Sequence, residues 1–285
     1  MVPCREGRIR ARGVAFAYQR WGEANRPPVI ALHGWLDNAA SFARLAPLLA
    51  QRWQVVALDL AGHGRSGWRS ADAAYNIWQD AGDVAAVARA LGCERFALVG
   101  HSRGATVAVL TAATFPERVW ALVLIDALMP DPVEAPEAPL QLRRAFDDHH
   151  RLLGAAPQLY PDRDAAVAAR RRGRLGLSLE AAELLAERGL AHSARGFWWR
   201  ADPRLKGASE VKLAEAQARA FLAGVRCPAL ALLAADHLEH HRRWFDANSA
   251  LRVEAVTGPH HLHLEEPSWR QVGERIAQFL AAALP

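Results

Sequence analysis

Residues Arg95–Thr114 read RFALVGHSRGATVAVLTAAT. An apolar run of strand length ends at Gly100, and a helical pattern opens at Gly104. Between them, GHSRG has the form G-x-S-x-G. A chain that passes from strand to helix over so few residues must turn sharply. That turn forces Ser102 into a strained conformation and lifts its Oγ above the sheet, while the flanking glycines let backbone pass where a Cβ would clash. By composition alone the pattern should occur about 0.04 times in such a chain, so motif and context together outweigh an ordinary glycine-rich turn.

The same strand-then-turn rhythm extends in both directions. PVIALHG (28–34), WQVVALDLAGHG (53–64), VWALVLID (119–126) and CPALALLAAD (227–236) are short apolar runs bounded by turn residues. Each has the length of a strand buried on both faces. Helical patterns such as NIWQDAGDVAAVARALG (76–92) lie between them, which predicts an α/β fold with a mostly parallel sheet flanked by helices. RIRARGVAFAYQRWG (8–22) alternates and predicts an antiparallel hairpin at the sheet edge. After Asp126 the rhythm stops. ALMPDPVEAPEAP (127–139) reads as a linker, and the pattern from Pro139 to Leu205 is helical, without strand-like runs. We expect an α/β core over residues 1–129 and 210–285, interrupted by a helical cap over 130–209, an insertion of roughly 75 residues.

Bulk composition narrows the function. The chain has 285 residues, 51% hydrophobic and 23% charged, with net charge +5. Lys206 and Lys212 are its only lysines, and apart from RRRGR (170–174) the arginines are scattered without interleaved aromatics. That argues against a nucleic-acid partner. Cys4, Cys93 and Cys227 are far apart and form no CxxC, so neither a disulfide framework nor a thiolate metal site is expected. No apolar stretch reaches membrane-spanning length, and MVPCREGRIRARG lacks the apolar run of a leader, so the expectation is a cytoplasmic protein with no membrane partner.

An unaided serine hydroxyl is a poor nucleophile. It needs a base to take its proton, an acid to orient that base, and N–H donors for the oxyanion that develops. ALHGWLDN (31–38) supplies donors: the strand ends in His33-Gly34, and the backbone N–H of Trp35 would pair with that of Arg103, just after the serine. For the base, VTGPHHLHLEEP (256–267) offers His260, His261 and His263. A metal site would require rigid ligands and a supporting second shell, which a proline-led loop does not promise. DHLEHH (236–241) and DDHH (147–150) read the same way, as partly exposed residues rather than ligands. Two strand-end aspartates, Asp126 and Asp236, both at the sheet's carboxyl edge, are candidates for the acid; either would otherwise cap its turn.

Together these motifs resemble the α/β-hydrolase superfamily over nearly the whole chain. LHGWLDN looks like its oxyanion loop, DLAGHGRS (59–66) its D-x-x-G-H-G-x-S turn, GHSRG its nucleophile elbow and PHHLHLEEP its histidine loop. HGWLD, GHSRGA and HHLHLEEP are most similar to the serine hydrolase-like branch. The resemblance implies eight strands, a cap after the sixth, and Ser102 as nucleophile. It puts His260 in the base position, about five residues before a Glu-x-Pro turn at Glu265 and Pro267, with His261 as the neighbour to test. It favours Asp236, just after the seventh strand, over Asp126, although Ala stands where the family's turn has Gly.

The expected activity is therefore cleavage of a carboxylic ester or related acyl compound with an apolar portion, without metal or organic cofactor. A C–C bond hydrolase or perhydrolase would use the same triad, and a ligand-binding protein with little turnover would keep the fold. Trp198 and Trp199 in the cap fit either packing or an acyl pocket. Substrate identity and oligomeric state are not written in any of these motifs.

Overall fold

The computed structural model describes residues 2–173 and 176–284. Met1, Pro285 and the last residue of the basic run, Arg174, lie outside the described residues. The main sheet has eight strands: β1 (Arg5–Ala11), β2 (Val14–Trp21), β3 (Pro28–Leu32), β4 (Gln54–Leu58), β5 (Phe96–His101), β6 (Val119–Ile125), β9 (Ala229–Ala234) and β10 (Leu251–Val256). Their spatial order is β1-β2-β4-β3-β5-β6-β9-β10. The β1–β2 and β2–β4 pairings are antiparallel; every other pairing is parallel. The five apolar runs are the five central strands.

Alternation along these strands feeds two cores. Ile30, Leu32, Leu98, Leu122 and Leu124 face one side, where α2 (Ile77–Ala90), α3 (Arg103–Thr114) and α7 (Glu215–Gly224) cover them with Val84, Leu110, Leu222 and their neighbours. Val29, Ala31, Val99, Val123 and Leu230 face the other side, under α1 (Leu45–Leu49) and α9 (Ser268–Ala283). Strands apolar on both faces can only be satisfied this way.

Between β6 and α7 the chain leaves the sheet and forms α4 (Ala138–Leu152), α5 (Arg163–Arg171) and α6 (Leu179–Gly189). The sequence pattern predicts a segment without strands, and the structure corrects this. β7 (Leu190–Ser193) and β8 (Gly196–Trp199) form an antiparallel hairpin, with Tyr160 bridged to Phe197. Four-residue strands are too short to display a period. Polar anchors hold this segment on loops that follow β3 and β4, at the sheet's carboxyl edge. Arg188 of α6 meets the buried Asp59, Arg170 of α5 pairs with Asp37, Asn38 Nδ2 donates to Leu185 O (3.0 Å), and Tyr75 Oη donates to Asp202 (2.7 Å). The DLAGHGRS turn is structural: Asp59 accepts from Ala39 N and Arg65 N, both at 2.7 Å. The short helix α8 (Leu238–His241) follows β9.

Candidate active site

Ser102 sits between β5 and α3 at φ 52°, ψ −119°, a region L-residues rarely occupy. Its neighbours explain how the turn is tolerated. A Cβ on Gly104 would lie 2.1 Å from Leu32 O, and one on Gly100 would lie 2.3 Å from Gly104 O. Only glycine at both positions lets α3 start so close to β3. The Ser102 N–H donates to Ile125 O (3.0 Å), which ties the turn to the end of β6.

One residue further along β6, Asp126 is also left-handed, at φ 50°. Two such residues side by side at a sheet edge mark a site where strain is held by the surrounding fold. Asp126 is buried and accepts three hydrogen bonds, each of 2.7 Å: Ala234 N to Oδ1, and both His260 Nδ1 and His237 Nδ1 to Oδ2. Burial alone would raise its pKa; the bonds from His260, Ala234 and His237 outweigh that and hold it below the ordinary carboxylate range. An ionised carboxylate only accepts, so His260 carries a proton on Nδ1, and in the neutral imidazole the lone pair is then on Nε2.

This differs from the expectation that Asp236 orients His260. Asp236 is exposed, in the tight 3₁₀ turn Ala235–His237 that follows β9. The turn brings the next residue, His237, to Asp126 and leaves Asp236 pointing to solvent. The carboxylate against His260 thus comes from Asp126, at the end of β6, and not from the turn after β9. His237 was read from sequence as a bystander in DHLEHH; nothing in its spacing points to Asp126.

The histidine loop separates its three members. His260 is part-buried beside the elbow: His101 Nε2 donates to His260 O (3.0 Å), and the two rings are 4.7 Å apart. His261 and His263 also pack on the His101 ring, at 4.8 and 4.3 Å, but both are buried and bonded to other partners, His261 Nε2 to Asp37 (3.1 Å) and His263 Nε2 to Ser41 Oγ (2.7 Å). Burial lowers the pKa of His263 to about 3 and holds His101 well below the imidazole range.

Trp35 follows the end of β3, and Arg103 opens α3. Among the described residues no backbone carbonyl accepts from either N–H. The Arg103 guanidinium is held aside by Asp80 (2.6 Å), and the Trp35 indole donates to Leu205 O (2.8 Å) in the inserted segment. A cleft of about 300 Å³ opens at Ser102. Trp35, Ile77, Met129, Val211 and Leu213 give it apolar walls, and Lys212 adds a charge. A second cavity of about 320 Å³ lies within the inserted segment, where Trp199 and Tyr160 line it with Leu36. Ser102 lines the first of these cavities and not the second. Trp198 and Trp199 line neither wall of the Ser102 cleft.

Two groups among the described residues bring three metal-ligating atoms together: Asp37, His101 and His261, wholly buried, and Asp126, His237 and His260, partly open. No helix among the described residues is long and apolar enough to cross a membrane.

The α/β-hydrolase fold family matches residues 27–267. The chain belongs to the α/β-hydrolase family. Within that family it is 31% identical to a serine hydrolase-like protein of Danio rerio over 94% of this chain and 85% of that one. A probable serine hydrolase of Drosophila melanogaster is 30% identical over 92% and 83%. A crystal structure of a hypothetical protein from Pseudomonas aeruginosa PAO1 superposes with a TM-score of 0.92 at 43% identity, covering 97% of this chain and 99% of that one. A thioesterase domain from the curacin biosynthetic pathway, 23% identical, shares the fold with a TM-score of 0.84, covering 98% and 99%. The α/β-hydrolase reading of the sequence, and its serine hydrolase-like branch, are thereby established.

Proposed function

We propose that this hydrolase cleaves carboxylic esters or related acyl compounds (EC 3.1.1) through a Ser102–His260–Asp126 triad. Ser102 Oγ attacks the acyl carbon while His260 Nε2 takes its proton. The oxyanion that forms is met by the Trp35 and Arg103 N–H groups. His260 then protonates the leaving group, and water, activated by the same imidazole, releases the acyl chain. Asp126 keeps the proton on Nδ1 and stabilises the imidazolium without itself being protonated. The inserted segment acts as the cap, and the apolar walls around Ser102 suit a substrate with an apolar portion.

One observation carries this reading: His260, packed beside the elbow, donates from Nδ1 to a carboxylate, so its free lone pair is on Nε2. The test is covalent labelling by a fluorophosphonate, with p-nitrophenyl acetate and butyrate turnover measured in parallel. We expect one label per chain on Ser102, lost in Ser102→Ala and slowed by orders of magnitude in His260→Ala. Labelling elsewhere, or turnover in Ser102→Ala within tenfold of the parent, would overturn it.

A further inference from the structure

We propose that Asp126, His237 and His260 form a binding site for a divalent transition-metal ion of the zinc class, and that its occupation switches His260 off as a base. The second clause rests on the proposed triad; the first does not.

The geometry is close to what such an ion needs. The two Nδ1 atoms and the carboxylate oxygen all lie within 4.8 Å of one another, and each Nδ1 is 2.7 Å from Oδ2. Tetrahedral bonds of about 2.0–2.1 Å separate neighbouring donors by roughly 3.3 Å, so the N···O spacing must open by only about 0.6 Å. His237 stands on a surface turn and its side chain is 42% exposed; that of His260 is 13% exposed. The ion therefore has a route from solvent, and the fourth ligand position is left for water. Two imidazoles and one carboxylate select zinc, copper or nickel over magnesium and calcium, which prefer oxygen.

The other histidine–aspartate group is the wrong place. Asp37, His101 and His261 are closed from solvent, and the Arg170 guanidinium already occupies the Asp37 carboxylate. A second cation there would be repelled, without water to screen it.

Occupation has a chemical consequence. Each imidazole gives its Nδ1 lone pair to the metal. A neutral imidazole keeps one N–H, so for His260 the proton must move to Nε2. That nitrogen then donates and has no lone pair for the Ser102 proton. The ion also takes Asp126 Oδ2 away from the imidazole. Inhibition therefore follows from tautomer and does not depend on the size of the substrate. A chelator should restore activity and should never lower it.

Binding can be read without catalysis. Zinc titrated calorimetrically into tag-free Ser102→Ala protein should show one site per chain, and cobalt should give the visible absorption of a tetrahedral site. His237→Ala, placed in the same Ser102→Ala background, should weaken zinc at least tenfold; His240→Ala, which changes a neighbour outside the cluster, should not. In active protein, each compared with its own metal-free rate, His237→Ala and His237→Gln should both need at least tenfold more zinc for half inhibition. Folding of each variant is checked by circular dichroism. No zinc binding, or binding and inhibition unchanged by both His237 substitutions, overturns the site. Zinc binding that depends on His237 without loss of activity overturns the switch and leaves the site. Failure of Ser102→Ala to abolish turnover would overturn the proposed function and, with it, the switch, and would leave the metal site standing.

Discussion

His260 and Asp126 stand 134 positions apart and share a 2.7 Å hydrogen bond from Nδ1 to Oδ2. The bond crosses the sheet's carboxyl edge, from the loop after β10 to the end of β6. It makes the choice of acid a matter of measurement.

Asp126→Asn should lower kcat by about 10³–10⁴-fold, because an amide no longer holds the proton on Nδ1. Asp236→Asn, changing an exposed turn residue, should leave kcat within about threefold. Steady-state hydrolysis of p-nitrophenyl butyrate compares the two directly. The reverse ranking would return the role to Asp236 and leave the nucleophile untouched.

Asp236 was the natural choice from sequence because it ends an apolar run just as Asp126 does. Composition and spacing show which carboxylates reach the sheet edge, but not which one bends inward. That depends on two local conformations: the left-handed backbone at Asp126, and a 3₁₀ turn that carries Asp236 outward and His237 inward. The central strands were legible because they are buried on both faces, so Val, Ile, Leu and Ala run without interruption. β10 has no such signature, since LRVEAV is a half-exposed edge strand in which charge breaks the run. The elbow was legible to the residue because G-x-S-x-G stands between an apolar strand run and a helical run in one continuous stretch, although Gly104 itself answers to Leu32 on a neighbouring strand.

Gly104→Ala should prevent productive folding or cost about 3 kcal/mol or more, since the new methyl meets Leu32 backbone and nothing flexible can yield. Soluble yield and the urea midpoint report this. A variant as stable as the parent would mean that α3 can slide away from β3.

Ser102→Ala should remove activity while leaving the unfolding free energy in urea within about 0.5 kcal/mol of the parent, because only a half-buried hydroxyl is lost. Far-ultraviolet circular dichroism and p-nitrophenyl ester turnover, taken on one preparation, separate loss of chemistry from loss of fold.

Stability should fall as the solution is acidified from pH 7.5 to 5. Burial holds His33, His63, His101 and His263 neutral, with pKa values below the usual 6.5. The unfolded chain takes up protons below about pH 6.5 and the folded chain does not. The stabilisation is therefore complete above that pH and is lost on the way down, by up to ~1.4 kcal/mol per pH unit for each group. Asp37, held well below the carboxylate range by His261 and Arg170 despite burial, pulls in the same direction at lower pH. Urea midpoints at pH 7.5, 6 and 5 should fall in order; a midpoint that rises at pH 5 would contradict these neutral histidines.

Trp35 belongs to two parts of the molecule at once. Its main chain stands beside the elbow, while its indole is fastened to Leu205 O of the inserted segment. On the proposed reading, a molecule bulky enough to lever that segment upward would drag on the residue whose N–H must meet the oxyanion. It would gain admission at the expense of its own reaction. A compact acyl group slips in beneath the rivet and leaves the donor in register. Size discrimination would then be enforced at the rate of chemistry rather than at binding, by a single side chain acting as a gauge.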